Sequence, residues 1–306
     1  IGFDLSLFKS KLDLTANYYI KNTEDFLNSV QLSPSTGFTN TLANIGSIKN
    51  NGLELEIAVE MISNLKLRWN IEGNVSFNRN RVTKLYKGID IYGSNYNVTL
   101  FSGPINIIRE GEPLGAFFGY NGDNIINDRD RVILGNPNPR VVYGFSTNLS
   151  YKNFDLSIFF NGVEGRDIFN IAKANTTLDA RFQSNFLKDV YYNTWDPVKP
   201  DPHAKYPKPS AQNLVRVSDR FVEDGSYLRL RNIQLSYNLP VENIGLKGIK
   251  NIQVYIGGQN LLTFTKYSWW DPEVNSSGSG NSVNLGIDSY TYPTAKSFDF
   301  GIRATF

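Results

Sequence analysis

Ser297-Phe298-Asp299-Phe300-Gly301-Ile302-Arg303-Ala304-Thr305-Phe306 is the stretch whose reading decides the fold. In an extended strand Phe298, Phe300, Ile302, Ala304 and Phe306 fall on one face, and Ser297, Asp299, Gly301, Arg303 and Thr305 on the other. The alternation has no exception. Two architectures use such a strand: a soluble β-sandwich buries its apolar face against a second sheet, whereas a membrane β-barrel turns that face to lipid and its polar face to the lumen.

The end of the stretch favours the barrel. Bacterial outer-membrane barrels characteristically finish on an aromatic residue, and their assembly machinery reads it, so Phe306 is expected to be a membrane-assembly signal. Working outward, the 306 residues contain no apolar run approaching the roughly 18 that a helical span needs. Spanning strands leave no such run, so a mean hydropathy of −0.32 does not oppose a membrane protein. The 31 basic and 29 acidic residues are interspersed, and no basic stripe recommends nucleic acid. The 17 Tyr and 20 Phe suit strands and the aromatic girdles of a barrel.

Alternation recurs along the chain. Phe3, Leu5 and Leu7, then Leu12, Leu14, Ala16, Tyr18 and Ile20, form a hairpin around Lys9-Ser10-Lys11. A long polar loop is expected from about Asn22 to Asn51. Leu53, Leu55, Ile57 and Val59 alternate with Glu54, Glu56 and Glu60, and beyond Ser63-Asn64 the pattern holds from Leu65 to Phe77. That second run exceeds the roughly nine to eleven residues of a tilted membrane strand. Val141 to Tyr151 and Phe154 to Phe160 flank Lys152-Asn153, and a loop of about sixty residues follows, Gly162 to Ser226. Ile233 to Leu239 and Ile252 to Ile256 flank a turn at Val241 to Lys250; a last loop, Lys266 to Lys296, leads to the final strand. Leu228 and Leu230 are out of phase with Ile233, as a bulge or an extramembrane extension would make them.

Short turns alternating with long loops match periplasmic turns and extracellular loops. The strand ending at Phe77 then runs outward and that starting at Val141 runs inward, which requires an even number of crossings between them. A hairpin is assigned there, Val98 to Ile108 and Leu114 to Tyr120, with a periplasmic turn at Glu110-Gly111-Glu112. The total is about eleven antiparallel transmembrane strands. Single-chain bacterial barrels have even counts, so residues 1–306 are expected to be one part of a larger barrel.

Chemistry is sparse. With no cysteine and one histidine, His203, the chain has no material for thiolate catalysis, disulfides or a multi-histidine metal site. His203 lies in Asp201-Pro202-His203, a loop without a nucleophile and orienting partner, so no catalytic, metal or cofactor-binding residue is expected. Asn121-Gly122-Asp123-Asn124 with Asp128 and Asp130 faintly resembles a calcium loop but lacks its spacing and terminal Glu. Trp195, Trp269 and Trp270 lie in expected outer loops, where indoles stack on sugars or partner protein, or simply order the loop.

Several stretches together resemble the C-terminal half of the SusC/RagA family of TonB-linked outer-membrane transporters. They are Gly135-Asn136-Pro137-Asn138-Pro139, Tyr151-Lys152-Asn153-Phe154-Asp155-Leu156-Ser157, Asp224-Gly225-Ser226-Tyr227-Leu228-Arg229-Leu230-Arg231-Asn232, Gly258-Gln259-Asn260-Leu261-Leu262, Asp271-Pro272-Glu273 and Phe298 to Phe306. The resemblance implies that residues 1–306 are half of a plugged barrel of roughly 22 strands in a Gram-negative outer membrane. It further implies a SusD-like lipoprotein lid, TonB energy coupling through an N-terminal part, and import of glycans, oligosaccharides or peptides, with no reaction of its own. The plug and the first barrel half have no counterpart in this sequence. The alternatives are a small stand-alone barrel acting as adhesin or enzyme, and a soluble sugar-binding β-sandwich.

Overall fold

The computed structural model describes residues 1–31, 37, 40–93, 101, 103–122, 130–178, 185–209, 215–240, 248–276 and 283–306. A short strand, β1 (Gly2–Leu7), and three long ones, β2 (Leu12–Gln31), β3 (Asn40–Ser63) and β4 (Leu67–Leu85), come first. A first insertion carries β5 (Ile91–Tyr92), β6 (Asn106–Ile108), β7 (Ala116–Tyr120) and β8 (Arg131–Gly135). After β9 (Val141–Tyr151) and β10 (Phe154–Glu164), a second insertion carries β11 (Asp167–Asn170), α1 (Ile171–Thr177), α2 (Lys188–Asn193) and β12 (Val222–Asp224). β13 (Tyr227–Leu239) and β14 (Asn251–Thr265) precede a third insertion with β15 (Ile287–Asp288), and β16 (Ser297–Thr305) follows.

Nine strands form one antiparallel sheet in the order β1-β2-β3-β4-β9-β10-β13-β14-β16. Its turns at one end are short for local reasons. Asn64 Oδ1 accepts the backbone N–H of Lys66 and Leu67, both at 2.9 Å, and the Lys152-Asn153 turn is set by Lys152 in the left-handed region at φ 52°. The Val241 to Lys250 turn falls mostly on residues outside those described. β1 and β16 are the two ends of the sheet order and are not paired with each other, so the sheet is open and not the closed ring of a small barrel.

Much of the apolar face of this sheet is exposed, unlike that of a soluble protein. On β16 Phe298, Phe300 and Ile302 are 76%, 88% and 74% exposed, while Asp299 and Gly301 on the polar face are half-buried. Phe3, Leu55, Ile57, Phe77, Phe145 and Ile256 are likewise exposed. No second sheet covers this face among the described residues, which rules out the sandwich. Lipid is the solvent that makes such a face stable.

The fully buried side chains lie elsewhere. Phe101, Ile105 and Phe117 from the first insertion, Phe169, Ile171, Val217 and Phe221 from the second, and Ile287 from the third form one hydrophobic core. Phe101 meets Phe169 and Phe221 edge-on, at centroid distances of 5.4 and 6.0 Å. Backbone bonds tie the insertions together: Asp167 N–H donates to Asn136 O at 2.8 Å and Phe169 N–H to Gly286 O at 2.9 Å. Gly286, at φ 69°, is required where it stands, because a Cβ there would lie 2.6 Å from Pro137 Cβ. The long loops are therefore one packed head.

Four expectations need correction. The hairpin placed between Phe77 and Val141 is not in the barrel sheet: β4 pairs directly with β9, from Leu67↔Tyr151 to Phe77↔Val141, and zero is the even number of crossings between them. The sheet accordingly has nine strands, not about eleven. β6 and β7 are buried throughout in the head, and of the expected first arm Val98 to Ile108, residues 98–100 and 102 lie outside those described. The turn expected in the periplasm is at the opposite end, with Gly111 N–H donating to Val82 O and Val82 N–H to Glu112 O, both 2.9 Å, near the outer end of β4. Finally, Asn22 to Gln31 and Asn40 to Asn51 are not loop but continuations of β2 and β3, paired out to Gln31↔Asn40; of the rest of the expected loop, residues 32–36 and 38–39 lie outside those described. The phase slip before Ile233 is a register shift between Leu230 and Asn232, at Arg231.

Phe300 sits at the middle of β16, opposite Ile256. Phe300→Lys is expected to lower stability in a bilayer by about 2–4 kcal/mol, and Thr305→Lys by about 1 kcal/mol or less, in reversible unfolding from lipid vesicles. Equal costs would reverse the assignment of faces. Thr305 is a cleaner control than Gly301, where a Cβ would press to 2.5 Å on Tyr255 Oη.

Candidate functional site

At the outer end of β13 the chain buries a charge. The Arg229 side chain is 3% exposed and that of Asp271 6%, and Arg229 Nη2 donates to Asp271 Oδ1. Its other donors are used: Nη1 to Glu273 Oε2 at 2.9 Å and Nε to Thr263 Oγ1 at 3.0 Å. Asp271 is equally saturated, Oδ1 also accepting Glu273 N–H and Oδ2 accepting Thr294 N–H, each at 2.9 Å. A buried ion pair persists only when its remaining hydrogen-bonding capacity is met in this way.

The bulge at Arg231 completes the arrangement. Arg231 Nη2 forks onto both Glu273 carboxylate oxygens at 2.8 and 2.9 Å, and Nη1 donates to Asn260 Oδ1 at 3.0 Å. Asn260, at φ 54°, donates onward to Ala295 O. Arg229 and Arg231 thus clasp the third insertion at both ends, through Asp271-Pro272-Glu273 and Thr294-Ala295.

Further contacts dock this insertion on the second. Glu223 accepts Ser268 N–H and Oγ–H at 2.9 Å each and meets Lys173 Nζ at 3.0 Å. Burial by itself would raise the Glu223 carboxyl; the Ser268 hydrogen bonds and Lys173 outweigh it and hold the group below its ordinary value. Asp271 is held low by the same balance: burial opposes, and the N–H groups of Glu273 and Thr294 with Arg229 prevail. Tyr267 donates to buried Asp288 at 2.6 Å, and burial followed by that bond pushes its phenol upward.

What the clasp presents is aromatic. Trp269 and Trp270 stack at 5.6 Å with planes 29° apart, and Tyr290 meets them at 6.3 and 6.4 Å. Trp269 packs beneath, against the core of Ile168, Tyr267 and Val274, while Trp270 and Tyr290 are exposed. Trp195 is not brought to this cluster. It follows α2, its N–H donating to Tyr206 O at 2.8 Å, beside the exposed pair Tyr191 and Tyr192. His203 is exposed in a turn capped by Asp201, 2.8 Å from its N–H. Most of the Asn121 loop, residues 123–129, lies outside the described residues. Phe306 is exposed immediately after β16. Sequence reasoning missed Tyr290 and the Arg229–Asp271 pairing; the phase slip at Leu228 and Leu230 was the only local sign of the latter.

Two outcomes follow for the clasp. Arg229→Ala strands a buried carboxylate and is expected to cost about 3–5 kcal/mol of local stability, read as faster proteolysis within residues 266–296; cleavage unchanged from the parent would refute the clasp. Because Asp271 and Glu223 have depressed values when folded, their contribution to docking is complete above the ordinary carboxylate values of about 4 and is lost as pH falls through the lowered values. Fluorescence of Trp269 and Trp270 should report undocking only on that acid side, and a midpoint above about pH 6 would contradict it.

The family model described as TonB-dependent receptor-like β-barrel matches residues 1–261. TonB-dependent receptor P3 of Formosa agariphila is 32% identical over 341 aligned positions, covering 100% of this chain and 33% of that protein. TonB-dependent receptor SusC of Bacteroides thetaiotaomicron is 28% identical over 335 positions, covering 100% of this chain and 31% of that protein. A solved structure of the RagAB peptide transporter superposes with a TM-score of 0.84 at 23% identity, covering 100% of this chain and 34% of the matched chain, and thereby shows likeness of fold. The chain spans about a third of the length of the curated relatives it matches.

Proposed function

We propose, from the premise that this chain belongs to the TonB-dependent receptor-like β-barrel family, that residues 1–306 form the C-terminal half of the barrel of an importer in a Gram-negative outer membrane. The observation that carries this is the division of the molecule. A sheet with an exposed apolar face supports a membrane wall, and a head built from all three insertions at one end supports a surface that meets ligand before entry. Glycans, oligosaccharides or peptides are the proposed cargo, and the likeness to SusC and to the fold of the RagAB transporter supports this class. A SusD-like lipoprotein lid over the head and TonB-driven energy coupling are the proposed partners. No reaction is assigned to the chain, since the relatives it matches are receptors and transporters. Phe306 is proposed as the assembly signal.

Trp270 and Tyr290 are the proposed contact for ligand or lid, with Trp269 as their support; Trp195 is a second, separate candidate. Uptake of labelled oligosaccharides and peptides by cells expressing the protein with and without TonB tests the main reading, and uptake that persists without TonB overturns it. For the platform, Trp270→Ala is expected to weaken binding about two- to twelvefold, the equivalent of one aromatic stacking contact. Unchanged affinity for both cargo and lid would remove Trp270 from the site.

A further inference from the structure

β4 outruns its partner β9. Their pairing stops at Phe77↔Val141, Asn78 N–H donates to Arg140 O at 3.0 Å, and the next residues of β4 are met by the Gly111 turn. The notch between them is a cavity of about 380 Å³ whose lining includes Arg79, Arg81 and Arg140, the amides of Asn78, Asn80 and Asn138, and no carboxylate. Asn80 Oδ1 is occupied by Leu114 N–H at 2.8 Å and Asn78 Oδ1 by the Tyr19 hydroxyl at 3.1 Å. Asn80 Nδ2 donates to Asn50 Oδ1 and Asn138 Nδ2 to Leu114 O, both at 2.8 Å, so the notch is marked by the positive charge of its guanidinium groups rather than by its amides.

The nearest acids are turned to other tasks. Glu110 accepts Leu85 N–H at 2.6 Å, and Asp167, beside Arg140, accepts Asn136 N–H at 2.7 Å. Arg81 Nε donates to Gly111 O at 2.8 Å, and Arg79 has no ion pair among the described residues. Lys49 stands directly opposite Arg81 across the β3–β4 ladder. Like charges placed so repel each other, and an anion between them removes the cost.

Position then selects the anion. Arg79 and Arg81 continue the parity of Val75 and Phe77, the exposed apolar face of β4, and so lie on the lipid side of the wall. They stand two and four residues past Phe77, about 7 and 13 Å along the strand, or about 5–9 Å in depth for a strand tilted near 45°. Leu67 to Phe77 already fill the length of a tilted membrane strand, so that depth falls in the headgroup layer beyond the hydrocarbon. We propose that Lys49, Arg79 and Arg81 bind the phosphate of an anionic lipid headgroup in the outer leaflet. The proposal rests on the membrane orientation above and goes beyond the transport reading, since cargo import makes no use of this face.

Native mass spectrometry of the purified full-length protein tests it, with phosphatidylglycerol, phosphatidylcholine and inorganic phosphate as separate probes. Retention of phosphatidylglycerol over phosphatidylcholine is expected, falling on the order of tenfold to thirtyfold in Arg79→Gln/Arg81→Gln and largely restored in Arg79→Lys/Arg81→Lys. Lys49→Gln, which leaves the Arg81–Gly111 bond intact, should give a smaller loss in the same direction and serves if the double variant does not fold. Equal retention of the two lipids, no loss in the Gln variants, or displacement of the lipid by millimolar inorganic phosphate would each overturn the assignment. A failure here leaves TonB-dependent uptake unaffected, so the two readings are separable.

Discussion

A strand that faces hydrocarbon has no water to satisfy its N–H and C=O groups, so each must find a partner on a neighbouring strand. The rest of this molecule depends on that constraint. It explains why the nine strands pair antiparallel in near-continuous register, and why the turns after Leu7, Ser63 and Tyr151, all at one end, are confined to two to four residues. It also explains why the three insertions are displaced to the other end, where water is available. The register breaks in the sheet, between Leu230 and Asn232, between Ser47 and Ile48, and at Phe26, occur toward that watered end. One break, between Glu60 and Ile62, lies beside the short turn at the opposite rim.

The wall was legible in the sequence because its signal is local. A two-residue period such as Leu67-Arg68-Trp69-Asn70-Ile71 needs no knowledge of distant residues, and its meaning differs from a sandwich only in which solvent the apolar side meets. The head was not legible for the opposite reason. Phe101, Phe169, Phe221 and Ile287 sit in short apolar patches without sustained periodicity, and their common core joins three insertions far apart in the chain. The hairpin wrongly placed at Leu114 to Tyr120 shows the limit of the method: β7 has the composition of a barrel strand, but both of its faces are buried by head residues rather than one by lipid. Trp269 and Trp270 were visible as candidates by residue type alone, whereas the geometry that makes them a platform depends on Tyr290 and Glu223, which no spacing joins to them.

The ion pair of Arg229 and Asp271 links these two halves of the architecture. Arg229 belongs to a barrel strand and Asp271 to the head, so the connection crosses the boundary between them at a point from which water is excluded. An apolar contact of similar area would bind as firmly but would tolerate sliding. The forked bonds of Arg229 and Arg231 onto Asp271 and Glu273 fix direction as well as distance. The platform of Trp270 and Tyr290 thereby inherits the rigidity of β13.

The shared core of the head also orders events in time. Phe101 and Ile287 contribute to one cluster, although all the strands from β9 to β14 lie between them in the chain. Contacts of such long sequence separation close late, after their loop entropy has been overcome. Until the third insertion arrives, the first two hold Phe117, Phe169 and Phe221 without their full cover. The head can therefore condense only once the strands beneath it are nearly assembled, which makes a finished surface the sign of a finished stretch of wall.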